Sequence, residues 1–66
     1  MSYSDFVHKV IARAVQAGIS QSKIRFSCRD GKYLANIPGV LKIAGNSIAK
    51  RVEFVWGSGH RAYGYL

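Results

Sequence analysis

The chain has 66 residues, ten of them Lys or Arg and three of them Asp or Glu, which gives a net charge of +7 at neutral pH. This length allows one domain with a small core, residues 1–66. The composition excludes an internal disulfide, because Cys28 is the only cysteine, and one Cys with two His is too few for a four-ligand zinc site, so we expect no metal and no cofactor.

The first predicted element is an amphipathic helix over residues 3–17. Its apolar residues recur at helical spacing in two adjacent rows, Phe6, Val10 and Ala14 and then Val7, Ile11 and Val15. Ser2 or Ser4 is suited to cap its amino terminus, and Gly18 is suited to end it. The two rows together predict one wide apolar stripe that packs against the rest of the domain.

A β-hairpin follows, because residues 24–29 alternate apolar and polar and Asp30-Gly31 favours a type I′ turn. Folding the chain at this turn pairs Arg29 with Lys32, Cys28 with Tyr33, Phe26 with Ala35, and Ile24 with Ile37. The face expected in the core comprises Ile24, Phe26, Cys28, Tyr33, Ala35 and Ile37, so Cys28 is expected to be a small buried residue and not a nucleophile. The opposite face comprises Arg25, Ser27, Arg29, Lys32, Leu34 and Asn36.

Three further strands are predicted over residues 40–44, 51–56 and 60–66. Pro38-Gly39 ends the second strand, and residues 48–51 fit either one helical turn capped by Asn46 or a continuation of the chain into the next strand. In the last hairpin, Ser58-Gly59 as the two turn residues pairs Trp56 with Arg61, Phe54 with Tyr63, and Val52 with Tyr65. A loop that also includes Gly57 shifts this pairing by one residue.

The element order predicts an α+β fold, with one N-terminal amphipathic helix packed on a curved antiparallel sheet of four or five short strands. The alternative is a small closed β-barrel with an N-terminal helix. A homodimer is also an alternative, because a single helix cannot cover all of the sheet.

The basic residues of the sheet are the main candidates for function, because they follow a pattern and are not merely numerous. The first hairpin carries Arg25, Arg29 and Lys32 on its non-core face, where they can contact phosphates. The last hairpin combines basic and aromatic residues, which suits base stacking, although Phe54 and Trp56 are assigned to the core. The predicted nucleic-acid-binding residues are Lys23, Arg25, Arg29, Lys32, Lys42, Arg51, His60, Arg61 and Tyr63.

The string Gly59-His60-Arg61, followed by Tyr65, resembles the closing strand of small bacterial toxin ribonucleases of the RelE-like kind. That resemblance implies an acid/base and phosphate-binding role for His60 and Arg61. Those toxins have a pair of helices before the sheet, whereas this chain has one, so no catalytic role is carried over.

The function expected from the sequence is non-enzymatic nucleic-acid binding, with RNA or single-stranded DNA favoured over duplex. The alternative is a small protein-binding inhibitor or adaptor of phage or mobile-element type that docks on an acidic protein surface. A ribonuclease toxin comes third. No apolar stretch approaches the ~20 residues of a membrane span, and a lone cysteine fits a reducing compartment, so we expect a cytoplasmic protein without a membrane partner.

Overall fold

A computed structural model describes residues 1–66 as one helix packed on a five-stranded antiparallel sheet. The elements are α1 (Tyr3–Gln16), a short 3₁₀ helix (Gln21–Lys23), β1 (Arg25–Arg29), β2 (Lys32–Ile37), β3 (Leu41–Asn46), β4 (Val52–Trp56) and β5 (Arg61–Gly64). The strands lie in chain order, β1-β2-β3-β4-β5, and β1 does not pair with β5. The α+β prediction is therefore confirmed, and the barrel alternative is wrong because the meander leaves both edge strands open.

Helix α1 begins and ends as its terminal residues predict. Ser2 is the N-cap, and its Oγ accepts a hydrogen bond from the Asp5 N–H at 3.1 Å. Gly18 has a positive φ of 79°, and the next residue, Ile19, donates its N–H to the Ala14 carbonyl at 2.9 Å. This is a Schellman ending, in which a glycine in the left-handed region satisfies carbonyls that the helix leaves free.

The core fills the space between α1 and one face of the sheet. Its fully buried large side chains are Phe6 and Val10 from the helix and Val52 from β4. No polar side chain is buried, and the Tyr33 hydroxyl reaches the edge of the core to donate to the Met1 carbonyl at 2.9 Å. The whole core comprises Phe6, Val10, Ala14, Ile24, Tyr33, Ala35, Ile37, Ile43 and Val52.

Val15 and Cys28, which were assigned to the core by their spacing, are exposed. Val15 is 59 % exposed. Residues four apart on a helix differ by about 40° around the helix axis, so the last residue of the second apolar row points away from the sheet. Cys28 is also exposed, although it faces the same side as its partner Tyr33. The ring of Tyr3 packs 5.4 Å from that of Tyr33, and Cys28 lies one strand further out, on the edge strand β1.

The first hairpin has the predicted register. Asp30 and Gly31 have φ values of 51° and 73°, as a type I′ turn requires. Arg29 pairs with Lys32 and Phe26 with Ala35, as expected; Ile24 precedes β1 and is buried.

The connection between β3 and β4 is a loop, neither a helical turn nor a strand. Strand β3 runs two residues further than predicted, to Asn46. The Asn46 Oδ1 then accepts hydrogen bonds from the N–H groups of Ile48, at 2.9 Å, and Ala49, at 2.6 Å. The amide therefore caps the chain as the sequence allows, but no helix follows it.

The predicted register of the last hairpin is wrong by one residue. The loop comprises Gly57, Ser58 and Gly59, and Gly59 takes a positive φ of 93°. The observed pairs are Val52 with Gly64, Glu53 with Tyr63, Phe54 with Ala62, and Val55 with Arg61. Because side chains alternate between the two faces of a strand, this shift transfers Arg61 and Tyr63 from the helix side of the sheet to the other side.

Candidate nucleic-acid interface

The face of the sheet turned away from α1 has no second layer, and we call it the open face. The strand registers and the alternation of side chains define its members. They are Arg25, Ser27 and Arg29 from β1; Lys32, Leu34 and Asn36 from β2; Lys42, Ala44 and Asn46 from β3; Glu53 and Val55 from β4; and Arg61 and Tyr63 from β5.

These side chains form three rows across the strands. The first basic row runs Arg25, Asn36, Lys42, Val55, Arg61; the central row runs Ser27, Leu34, Ala44, Glu53, Tyr63; and the second basic row runs Arg29, Lys32, Asn46. Neighbouring rows are separated by two residues along each strand, about 7 Å, so the two basic rows lie about 14 Å apart. The cations are therefore held at two margins, with a less charged strip between them.

The second basic row is completed by Arg51, which precedes β4. Its guanidinium carbon lies 5.6 Å from the centroid of the Tyr63 ring, a cation–π distance. At the other end of this row, Arg29 Nε lies 3.8 Å from Asp30 Oδ2, but the two side chains are 93 % and 89 % exposed. A pair this exposed and this long contributes little, so Arg29 stays available to a phosphate.

The central row is mostly uncharged and its exposed apolar surface is modest. Leu34 is 36 % exposed and Tyr63 is 64 % exposed, with the small Ala44 between them. Tyr63 is the one aromatic residue on this face. The strip offers a ring and aliphatic surface at the place where bases would lie if phosphates followed the basic rows.

Glu53 is the one carboxylate on the open face. Its Oε2 lies 3.5 Å from Arg61 Nη1, and it is paired with Tyr63 across β4 and β5. Hydrogen bonding of the Tyr63 hydroxyl to the Glu53 carboxylate raises the pKa of this phenol, and the negative charge of Glu53 adds to the effect; Arg61 and Arg51 act in the opposite direction. Glu53, Arg61 and Tyr63 therefore form one polar cluster on β4 and β5.

The structure brings together seven of the nine residues predicted from the sequence, and the other two lie off the face. The residues on the open face, or stacked over it, are Arg25, Arg29, Lys32, Lys42, Arg51, Arg61 and Tyr63. Lys23 lies before β1 in the 3₁₀ helix and lines a groove at the end of the sheet with Arg25. The ring of His60 packs 5.2 Å from that of Trp56, on the helix side.

The aromatic residues of the last hairpin separate by face. Phe54 packs against the core, whereas Trp56 is 36 % exposed at the rim of an apolar groove between α1 and the sheet. Tyr65 is exposed, and its carbonyl accepts a hydrogen bond from Arg13 at 3.2 Å, which ties the end of the chain to the helix. Of these residues only Tyr63 contributes to the open face.

Glu53, Leu34 and Ala44 were not among the predicted site residues. The first hairpin's turn places Leu34 on the open face, but Glu53 depends on the β3–β4 pairing, which follows an irregular loop. In the last hairpin, Gly59 is the residue that indicates a three-residue loop. Such loops place their third residue in the left-handed region, which glycine adopts readily.

No helix in the structure has the length and apolar character needed to cross a membrane. No group of three or more His, Cys, Asp or Glu side chains is close enough together to hold a metal ion. No family model, curated protein or solved structure matches the chain.

Proposed function

We propose that the protein binds single-stranded nucleic acid, RNA or DNA, on the open face of its sheet without cleaving it. The observation that carries the proposal is the arrangement of two basic rows on either side of a weakly charged central row. Phosphates bind at the basic margins, and bases lie over the central strip, where Tyr63 offers a stacking surface.

The width of the open face favours a single strand over a duplex. Five strands at about 4.8 Å spacing span about 19 Å, whereas the major groove of B-DNA is about 12 Å wide and admits a two-stranded ribbon. The bases of a duplex are also stacked inside it and cannot reach Tyr63. A single strand can turn its bases toward the face and keep its phosphates at the margins.

The salt dependence of binding tests the proposal. A labelled oligouridine or oligothymidine is titrated with the protein at salt concentrations from about 50 to 200 mM, with a duplex of the same length as competitor. We expect the logarithm of the affinity to fall linearly with the logarithm of the salt concentration, with a slope of about −0.7 per phosphate contacted. An affinity that does not change with salt contradicts the proposal, as does stronger binding of the duplex.

A pair of charge-matched variants locates the site. Lys42→Ala removes a cation from the middle of the first basic row, and Lys9→Ala removes one from the exposed side of α1. Both variants lower the net charge equally. We expect Lys42→Ala to make the salt slope shallower by about 0.7 and Lys9→Ala to leave it unchanged.

The same charge pattern also supports the second candidate, an inhibitor or adaptor that docks on an acidic protein surface. Two copies of the open face would bring like charges together, so such a partner would be a different protein. Affinity capture from a lysate, with and without nuclease, separates the two candidates. A protein that stays bound after nuclease treatment favours the adaptor, and nucleic acid that is lost with the treatment favours the first proposal.

The positions of His60 and Arg61 do not favour the ribonuclease. The His60 ring lies beside Trp56 on the helix side, while the Arg61 guanidinium reaches Glu53 on the open face. A general acid or base and a phosphate-binding cation must converge on one scissile phosphate, and these two side chains point to opposite sides of the sheet.

A further inference from the structure

A carboxylate such as Glu53 is unexpected on a surface that only binds phosphates. Glu53 lies in the central row between Ala44 and Tyr63, and its side chain is 23 % exposed. A carboxylate there repels phosphates and offsets part of the charge of Arg61. Its ion pair with Arg61 is 3.5 Å long and largely exposed on the Arg61 side, so its contribution to folding is small.

The carboxylate has acceptor capacity beyond its contacts within the chain. An ionised carboxylate offers about four lone-pair positions and no donor. The Arg61 guanidinium, 3.5 Å from Oε2, occupies part of that capacity. The remainder faces a surface groove bounded by Lys32, Ala44, Asn46, Arg51, Glu53 and Tyr63.

A group in the central row that can only accept hydrogen bonds discriminates among bases by the donors and acceptors on their edges. Guanine presents two adjacent donors, N1–H and the 2-amino group, which match the two oxygens of a carboxylate. Adenine and cytosine present one amino group beside a ring nitrogen that repels the carboxylate, and uracil and thymine present one N–H between two carbonyl oxygens. Single-stranded bases are read on these edges while they stack on an aromatic ring.

We propose that Glu53 makes the open face selective for guanine in a single strand, with the base stacked on Tyr63 and its N1–H and 2-amino group donating to the Glu53 carboxylate. Lys32 and Arg51, on the same groove, bind the adjoining phosphates. This inference rests on the proposed single-strand binding and adds to it one specificity-determining residue.

The test uses oligouridines that carry a single central G, A, C or inosine, and the corresponding oligothymidines, measured by fluorescence anisotropy at one salt concentration. We expect the protein to bind the guanine oligonucleotide about tenfold more tightly than the others, as one bidentate base contact allows. Inosine keeps N1–H but lacks the 2-amino group, so it should lose much of the preference. This comparison needs no protein variant.

Glu53→Gln should abolish the preference for guanine and raise the affinity for plain oligouridine, because a negative charge that repels phosphates is removed from the open face. Asp30→Asn is the matched control, since it removes the same charge at the hairpin tip and should keep the preference. Equal affinities for all bases, or a preference that survives Glu53→Gln, would overturn the inference and leave single-strand binding intact. Absence of binding to every oligonucleotide would overturn both.

Discussion

The ring of Phe6, from α1, lies against the backbone of Gly45 in the middle of β3. A Cβ added at Gly45 would lie 3.1 Å from Phe6 Cε1 and 3.2 Å from Val52 Cγ1. Glycine weakens a strand, but here its missing side chain allows the largest core residue of the helix to approach the sheet. This contact packs α1 closely against one face of the sheet.

Gly45→Ala should therefore destabilise the domain, by about 1–3 kcal/mol, because the added methyl group overpacks the core. Chemical denaturation measures the change. Gly64→Ala is the control, since a Cβ there would lie 3.4 Å from Phe54 Cε2, an ordinary contact, and should alter the free energy of unfolding much less. Equal stabilities of the two variants would show that Phe6 does not approach β3 this closely.

The pKa of the Tyr63 phenol should lie above the 10.0 of a free tyrosine. The neutral phenol donates a hydrogen bond to the Glu53 carboxylate, and the negative charge of Glu53 disfavours the phenolate. Glu53→Gln should lower this pKa, and Arg51→Ala should raise it further. Since the folded-state pKa is the raised one, the interaction stabilises the fold below pH 10 and is lost as the pH rises through that folded pKa. Carbon NMR of the tyrosine ring measures each pKa; a Tyr63 value below 10.0 would contradict the Glu53 contact.

Tyr63→Ala should weaken single-strand binding by about 1–3 kcal/mol, the usual value of one stacked base, and Tyr63→Phe should retain most of that affinity. Because Tyr63 is mostly exposed, neither variant should change the free energy of unfolding by more than about 0.5 kcal/mol. Tyr65→Ala, at an exposed tyrosine outside the strand, is the matched control for aromatic surface. Equal losses for Tyr63→Ala and Tyr65→Ala would show that binding does not use the open face at Tyr63.

The Cys28 thiol should react with a thiol reagent in the folded protein nearly as fast as in denaturant, because it is exposed on the edge strand. The measurement is the rate of thiol modification with and without denaturant. Strong protection in the folded state would show that Cys28 is buried, as its alternation with Phe26 suggests, and that a further element or subunit covers β1.

Local chemistry made much of the fold predictable. Ser2 and Gly18 delimit α1, and the Asp30-Gly31 turn fixes the register of the first hairpin, which in turn places Arg25, Arg29 and Lys32 on one face. Each of these features depends on a few adjacent residues with special backbone preferences. The helix ends and the register of the first hairpin are therefore set by local sequence and do not depend on tertiary packing.

The remaining features depend on how far each element extends and what covers it. Alternation correctly gives the face of Cys28, but its burial depends on whether α1 reaches the edge strand. In the last hairpin, one additional loop residue moves Arg61 and Tyr63 to the opposite face, and the composition of Gly57-Ser58-Gly59 fits either loop length. The candidate site therefore includes residues whose types were recognised and whose face was not.

The most direct test of binding on the open face compares bulky adducts on its two sides. An uncharged maleimide is attached to the native Cys28, on the helix side, or to an Ala44→Cys, Cys28→Ser variant, in the centre of the open face. Affinity for a labelled oligouridine is then measured for each adduct and each unmodified protein. We predict that the adduct at position 44 abolishes binding while the adduct at Cys28 leaves it within about twofold, a change of about 0.4 kcal/mol. Unimpaired binding by the adduct at position 44 would contradict binding of nucleic acid on the open face.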